Sequence, residues 1–127
     1  MAEVQFGLMM RAQFPPGDDM QARFAELVEQ ARLANRLGFA SLTKGMHYSA
    51  APWRDLQQFP FLSRIMAEAP SLRLNFGLVL LSLHKPLDVA EQIATVDVMS
   101  GARSSSASRW AIATSNISPS GRLRRSG

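Results

Sequence analysis

Apolar runs that recur along the chain, each followed by a segment with helical spacing, are the feature that most restricts how it can fold. The runs cover residues 4–10, 39–43 and 72–83 and begin about 35 residues apart, a spacing typical of strand–helix units. Such units build parallel sheets, because each helix returns the chain across the sheet in a right-handed crossover. The pattern therefore predicts an α/β fold with a parallel sheet.

The run at residues 72–83, LRLNFGLVLLSL, gives the strongest strand signal. Pro86 follows it and suits the first turn of a helix, where a backbone N–H would have no partner. Asp88 is favourable near the positive end of the helix dipole, and Gly101 provides a helix stop. The sequence thus predicts a strand over residues 72–83 followed directly by a helix that ends at Gly101.

Two further helices are expected between the apolar runs. In residues 20–37 the apolar positions recur at intervals of three and four, which marks one face of an amphipathic helix. Asp18 or Asp19 can cap its start, and Gly38 can end it. A second helix is expected over residues 57–68.

Charge is unevenly distributed along the chain. The net charge is +4, yet residues 1–103 carry ten acidic and ten basic side chains, so the surplus lies in residues 104–127. The basic residues of that segment are Arg109, Arg122, Arg124 and Arg125. The segment also has eight serines among its 24 residues and no acidic residue. This composition predicts a disordered or irregular tail without a strand or helix.

Several classes of site are excluded by composition. The chain has no cysteine, so a disulfide framework or a thiolate zinc site is impossible. It has no phosphate-binding glycine loop and no metal-ligand cluster. No apolar run reaches about 18 residues, and the start lacks the pattern of a signal peptide, so the expected location is the cytoplasm, without membrane insertion.

A set of motifs in residues 4–103 carries a likeness to a known family. The motifs are Phe6-Gly7, Leu37-Gly38-Phe39, His47, and the long block LNFGLVLLSLHKPLDVAEQIATVDVMSGAR. Together they resemble the bacterial luciferase-like family of flavin- or deazaflavin-dependent monooxygenases and oxidoreductases. The resemblance implies that residues 1–103 form the N-terminal (βα)₃ portion of a TIM (β/α)₈ barrel.

The resemblance also implies a site. His47 would be the catalytic group, facing a flavin ring at the carboxyl end of the second strand, although Met46 stands where the family often has an acidic residue. Gly77 and Leu78 match a bulge with a non-prolyl cis peptide that supports the ring, and Ser82 would line the same mouth. The implied cofactor is FMN or coenzyme F420, and the implied substrate is a small organic molecule.

The residues by themselves leave other interpretations open. A single histidine in a loop, such as His47, is more often a solvated or structural group than a catalytic one. Gly77 is also consistent with a glycine tolerated inside a buried strand.

The likeness stops abruptly at Arg103. Back-translation of residues 103–120, read one base earlier with codons that mostly end in G or C, gives VVFGVALGYRDVEYLAFG. That sequence resembles the family's fourth strand, and its hydrophobic start needs only serine codons of the TCN type. We therefore interpret residues 104–127 as a frameshift product, the alternative being a genuine divergent tail.

The frameshift interpretation predicts a fragment of the parent enzyme. A chain of 127 residues is about half of a barrel of roughly 250 residues, and three strands cannot close a barrel. Unpaired strand edges then favour self-association. We expect this chain alone to be inactive and not to retain the cofactor.

A second hypothesis belongs to another class of protein. The chain could be a non-catalytic α/β interaction module whose basic tail binds nucleic acid or an anionic surface. It predicts salt-dependent binding that is lost when residues 104–127 are removed. Under a frameshift the four arginines of the tail are accidental, and no nucleic-acid partner is expected.

Overall fold

Strands and helices alternate along the computed structural model, which describes residues 4–101 and 110–114. The strands are β1 (Gly7–Met10), β2 (Gln13–Phe14), β3 (Ser41–Lys44), β4 (Arg54–Asp55), β5 (Arg73–Val79) and β6 (Trp110–Thr114). The helices are α1 (Met20–Arg36), α2 (Gln58–Glu68) and α3 (Pro86–Ser100), with a 3₁₀ turn at Leu81–Leu83. The α/β class expected from the sequence is confirmed.

The main sheet has four parallel strands in the order β1-β3-β5-β6. Its register aligns Leu8 with Leu42 and Leu42 with Leu74, so one row of leucines crosses three strands. A helix connects β1 to β3, β3 to β5 and β5 toward β6. The carboxyl ends of the four strands therefore lie at one edge of the sheet.

The core lies between one face of this sheet and the helices. Side chains alternate along a strand, so Leu74 and Phe76 share a face, and both are almost completely buried. The Phe59 ring at the start of α2 lies with its centroid 4.8 Å from that of Phe76. The buried residues that α1 and α2 contribute to this core are Leu27, Val28, Ala31, Ala34, Phe61, Leu62 and Ile65.

The helix ends agree with the sequence signals. Oδ1 of Asp19 accepts hydrogen bonds from the backbone N–H groups of Gln21 at 2.9 Å and Ala22 at 3.3 Å, so Asp19 is the cap of α1. Pro86 begins α3, and Gly101 ends it with φ of 62°, a left-handed conformation that suits glycine.

The third predicted strand is shorter than expected. Pairing ends at Val79, and residues 81–83 form a 3₁₀ turn instead of continuing the strand. In this turn the N–H of Leu83 donates to the carbonyl of Leu80 at 3.0 Å, which satisfies backbone groups locally. Ser82 is consequently exposed in a turn, and its expected position at the end of a strand is wrong.

The expectation that residues 104–127 contain no strand is wrong for residues 110–114. This segment, β6, pairs in parallel with β5, aligning Leu74 with Trp110 and Phe76 with Ile112. The edge of β5 presents unpaired backbone groups, and the sequence WAIAT has no proline to prevent pairing with them. Arg109 and the three later arginines lie outside the described residues, as does Arg103.

Several large apolar side chains remain exposed. Phe6, which precedes β1, is 70% exposed, and Leu87 and Val98 of α3 are 69% and 80% exposed. Exposed apolar side chains of this size are available for contact with another element or another molecule. Among the described helices, none is long and apolar enough to cross a membrane.

Candidate active site

A cavity of about 280 Å³ opens at the carboxyl ends of β1 and β3. It is lined by Met9, Met10, Arg11, Ala12, Gln13, Gly45, His47 and Asp55. Apolar side chains from the end of β1 thus face polar groups from three separate segments. Clefts with an apolar wall and a few convergent polar groups are typical of small-molecule sites.

Asp55 reaches this cavity through a small antiparallel ladder. Strands β2 and β4 have two residues each, and their pairing aligns Gln13 with Asp55 and Phe14 with Arg54. The ladder fastens the long connection after β3 across the end of β1. The Asp55 side chain is 4% exposed, so a carboxylate is buried at the end of the sheet.

Lys44, the last residue of β3, forms a buried ion pair with Asp55. Its Nζ lies 2.9 Å from Oδ1 of Asp55 and also donates to the Gly45 carbonyl at 2.9 Å. Nζ further lies 5.8 Å from the centroid of the Phe61 ring. A buried ammonium group is tolerated when such partners replace its hydration.

His47 binds the other oxygen of the same carboxylate. The His47 backbone N–H donates to Oδ2 of Asp55 at 3.0 Å, and ring atom Nδ1 lies 3.3 Å from that oxygen. The His47 side chain is 55% exposed. Asp55 therefore joins a buried lysine on one oxygen to a solvent-accessible histidine on the other.

Gln58, in the first turn of α2, ties that helix to the end of β3. Its Nε2 donates to the Lys44 carbonyl at 2.8 Å, and the residue is 1% exposed. Its Oε1 has no hydrogen-bond partner among the described residues. This hydrogen bond holds the N-terminus of α2 next to Lys44.

Gly77 suits the close approach of β5 to β3 at this edge, and Gly45 lies near its carbonyl. A Cβ added at Gly45 would lie 3.5 Å from the carbonyl oxygen of Gly77, and one added at Gly77 would lie 3.2 Å from Cγ2 of Thr43. The peptide bond between Gly77 and Leu78 is cis, as expected, and the register against β6 shifts there.

The predicted site residues are not all brought together. His47 lines the cavity, whereas Gly77 and Leu78 lie on β5 beside Gly45, and Leu78 is 46% exposed. Ser82 lies in the exposed turn beyond β5 and does not line this cavity.

Sequence reasoning missed Lys44 and Asp55. Lys44 stands two residues after Leu42, on the same buried face of β3, so a charge at a core position was the available signal. Asp55 gave no signal, because a two-residue strand has no detectable periodicity.

Two other clefts are lined by described residues that include no histidine. One of about 470 Å³ lies between α2 and α3 and includes Asp88 and Glu91, and another lies along the surface of α1. No group of three or more histidine, aspartate or glutamate side chains in the described part of the chain could hold a metal ion.

Fold and site together define an α/β protein whose polar groups converge at the carboxyl edge of a parallel sheet, the edge where such folds bind ligands. The family model of luciferase-like monooxygenases matches residues 4–105. The chain belongs to the luciferase-like monooxygenase family.

Individual relatives agree with this assignment. A luciferase-like monooxygenase of Escherichia coli K12 is 26% identical over 96 residues, which is 76% of this chain and 29% of the relative. The crystal structure of apo-MsnO8 matches with a TM-score of 0.73 and 27% identity, covering 88% of this chain and 32% of that one.

A more distant structure has the same fold. It is the oxygenating constituent of 3,6-diketocamphane monooxygenase of Pseudomonas putida, a type II Baeyer-Villiger monooxygenase in complex with FMN. The TM-score is 0.75 at 15% identity, over 89% of this chain and 29% of that one. The chain thus spans less than a third of the length of the relatives that it resembles.

Proposed function

We propose that this chain is the N-terminal part of a flavin-dependent monooxygenase or oxidoreductase with His47 at its active site. The observation that carries the proposal is the position of His47, held by a buried carboxylate in a cavity at the carboxyl edge of the sheet. Barrel enzymes place their chemistry at this edge. Gly77 and Leu78, on the adjacent strand, would support one face of the cofactor, and Ser82 would lie further out at the mouth.

The cofactor that we propose is FMN, with coenzyme F420 as the alternative. The FMN complex of the diketocamphane monooxygenase supports a flavin. A cavity of about 280 Å³ lies just below the 300–1,000 Å³ typical of ligand sites, so it suits part of a planar ring and not a whole cofactor. When bound, a reduced flavin supplies hydride or electrons for a reaction with oxygen or substrate.

The residues of this chain would act around that ring. His47 has its ring exposed toward the cavity and can exchange a proton there. Met9 and Met10 would give the cavity apolar contact surface, and Arg11 would offer a positive charge to an anionic group. The substrate class would be a small organic molecule.

We further propose that residues 1–103 are the barrel portion and that residues 104–127 arise from a frameshift. The family match supports this boundary, because it ends at residue 105. Residues 1–103 supply three strands of the main sheet, and β6 of the tail adds a fourth, which makes half of an eight-stranded barrel. A polypeptide of these 127 residues would therefore leave β1 and β6 as open edges. Such a polypeptide would not retain flavin or catalyse the reaction.

The coding DNA provides the first test. Read one base earlier from about codon 98, it should stay open for roughly 200 further codons, enough for the rest of a barrel of ordinary size. A stop codon soon after residue 103 in that frame contradicts the fragment proposal.

The protein translated from that longer frame provides the functional test. It should retain FMN through gel filtration, whereas the 127-residue chain should not. The His47→Ala variant should lose about 10²- to 10⁴-fold in kcat, the usual contribution of a positioned proton-transfer group. His84→Ala, a change outside the cavity, is the matched control and should keep near-normal turnover. Equal kcat values for both variants and the unchanged protein contradict the role of His47.

A further inference from the structure

We propose that Asp55 is a positioning residue that fixes the orientation and the neutral tautomer of His47, with Lys44 holding Asp55 in place. In this arrangement Nδ1 of His47 carries the proton and donates a hydrogen bond to Oδ2 of Asp55, and Nε2 is left as the acceptor on the open side. A catalytic effect of these Lys44–Asp55–His47 contacts rests on the proposed function. The contacts themselves rest on geometry alone.

The first step is the two-point attachment of His47. Oδ2 of Asp55 accepts from the backbone N–H of His47 at 3.0 Å and lies 3.3 Å from Nδ1 of its ring. The backbone bond fixes the distance of the residue from the carboxylate, and the ring bond then fixes the direction of the imidazole. A carboxylate can only accept, so a neutral ring that bonds to it must carry its proton on Nδ1.

The second step is the attachment of Asp55 itself. Oδ1 is 2.9 Å from the Lys44 ammonium group, which also donates to the Gly45 carbonyl. With one oxygen committed to Lys44 and the other to His47, rotation of the carboxylate breaks at least one of these contacts. Both charged side chains are nearly fully buried, at 1% and 4% exposed, so water does not readily replace the lost partner.

The third step concerns Nε2, the ring nitrogen of His47 that Asp55 does not contact. No described residue makes a hydrogen bond to Nε2 of His47, and the ring is 55% exposed beside a cavity that also includes Arg11 and Gln13. A neutral ring with its proton on Nδ1 offers a lone pair on Nε2 to a donor in that cavity. A bound molecule would therefore meet a single defined nitrogen, already oriented.

The test is a direct measurement of tautomers by ¹⁵N NMR of the imidazole rings, at a pH where both are neutral. The chain has two histidines, and His84→Gln assigns the signals. Magic-angle spinning gives the same readout if the chain self-associates. The expected result is a predominant Nδ1–H form for His47 and a predominant Nε2–H form, the usual preference of a free ring, for His84.

Variants distinguish the positioning of His47 by Asp55 from a general effect of Asp55 on the stability of the fold. Lys44→Met combined with Asp55→Ala removes both buried charges together, so neither is left unpaired. In this double variant His47 should shift to the Nε2–H form while the dispersion of backbone amide signals stays native-like. Asp88→Ala, the loss of a carboxylate outside the cavity, is the matched control and should leave both histidine tautomers unchanged.

The outcomes are distinguishable from those of the proposed function. A predominant Nε2–H form for His47 in the unchanged chain overturns the positioning role, whatever flavin does. An Nδ1–H form that persists in the double variant overturns it as well. An Nδ1–H form that depends on Asp55, in a longer protein that neither binds nor uses flavin, sustains the positioning role and refutes the proposed function.

Discussion

At the scale of single residues, the site depends on a charge pair that hydrophobic patterning does not foresee. Lys44 occupies a position that alternation assigns to the core, and it is tolerated because Asp55, the Gly45 carbonyl and the Phe61 ring surround its ammonium group. The place of His47 after a strand, together with the family resemblance, was enough to single it out as a candidate, and its role remains a proposal. Its carboxylate partner could not be predicted, because Asp55, eight residues further along the same connection, is positioned by the tertiary pairing of β2 with β4.

Gly77 offers a residue-scale prediction about packing. A Cβ there would lie 3.2 Å from Cγ2 of Thr43, closer than ordinary contact distance. Gly77→Ala should therefore lower the free energy of unfolding by about 1–3 kcal/mol, the usual cost of overpacking. Urea denaturation of the 127-residue chain measures the change.

Thr43→Ser supplies the matched background, because it removes the crowding methyl group and keeps the hydroxyl that accepts from Asn75 at 3.2 Å. The cost of Gly77→Ala should be smaller in this background. An equal cost in both backgrounds would show that the Thr43 methyl is not the obstacle.

At the scale of elements, the helices were more predictable than the strands. The ends of α1 and α3 are set by local signals, a capping Asp19 and a terminal Gly101, that act within one turn of the backbone. Pro60 is tolerated in α2 because it lies in the first turn, where its missing N–H costs no helical bond. The ladder of β2 and β4 was not predictable, since pairing between two-residue segments is decided by the completed fold.

Glu68 joins two of these elements and gives a pH prediction. It lies at the end of α2 and binds Arg32 of α1 as well as Arg64 of its own helix. Hydrogen bonds from Arg32, and then from Arg64, lower the pKa of Glu68 below its ordinary value of 4.5. A lowered pKa in the folded state means that this contribution to stability is complete above pH 4.5 and is lost as the pH falls further.

The measurement is the urea midpoint of the unchanged chain and of Glu68→Gln at pH 7 and at pH 3. The unchanged chain should be the more stable at pH 7, and the difference should shrink at pH 3, where the carboxylate is protonated. Glu91→Gln is the control for the loss of an exposed acidic group on α3. A Glu68→Gln difference that is the same at both pH values would contradict the ion-pair explanation.

At the scale of the whole molecule, the described residues form a sheet whose two outer strands have one neighbour each. β1 pairs with β3, β6 pairs with β5, and the backbone groups on their far sides have no strand partner in the described part of the chain. Phe6, just before β1, and Leu87 and Val98 of α3 add exposed apolar surface to the described residues. Sheet edges beside apolar surface favour pairing between chains.

We therefore predict that the 127-residue chain self-associates and that Val98→Lys weakens the association. Val98 is 80% exposed on α3, so a lysine there disturbs no packing within the chain, yet it places a charge on the surface that a second molecule would bury. Sedimentation velocity at increasing concentration should show a smaller average mass for this variant than for the unchanged chain. Gln30→Lys adds the same charge to the exposed polar side of α1 and controls for net charge. A chain that is monomeric at all concentrations would refute association, and an equal effect of both lysines would assign it to charge in general and not to the apolar face of α3.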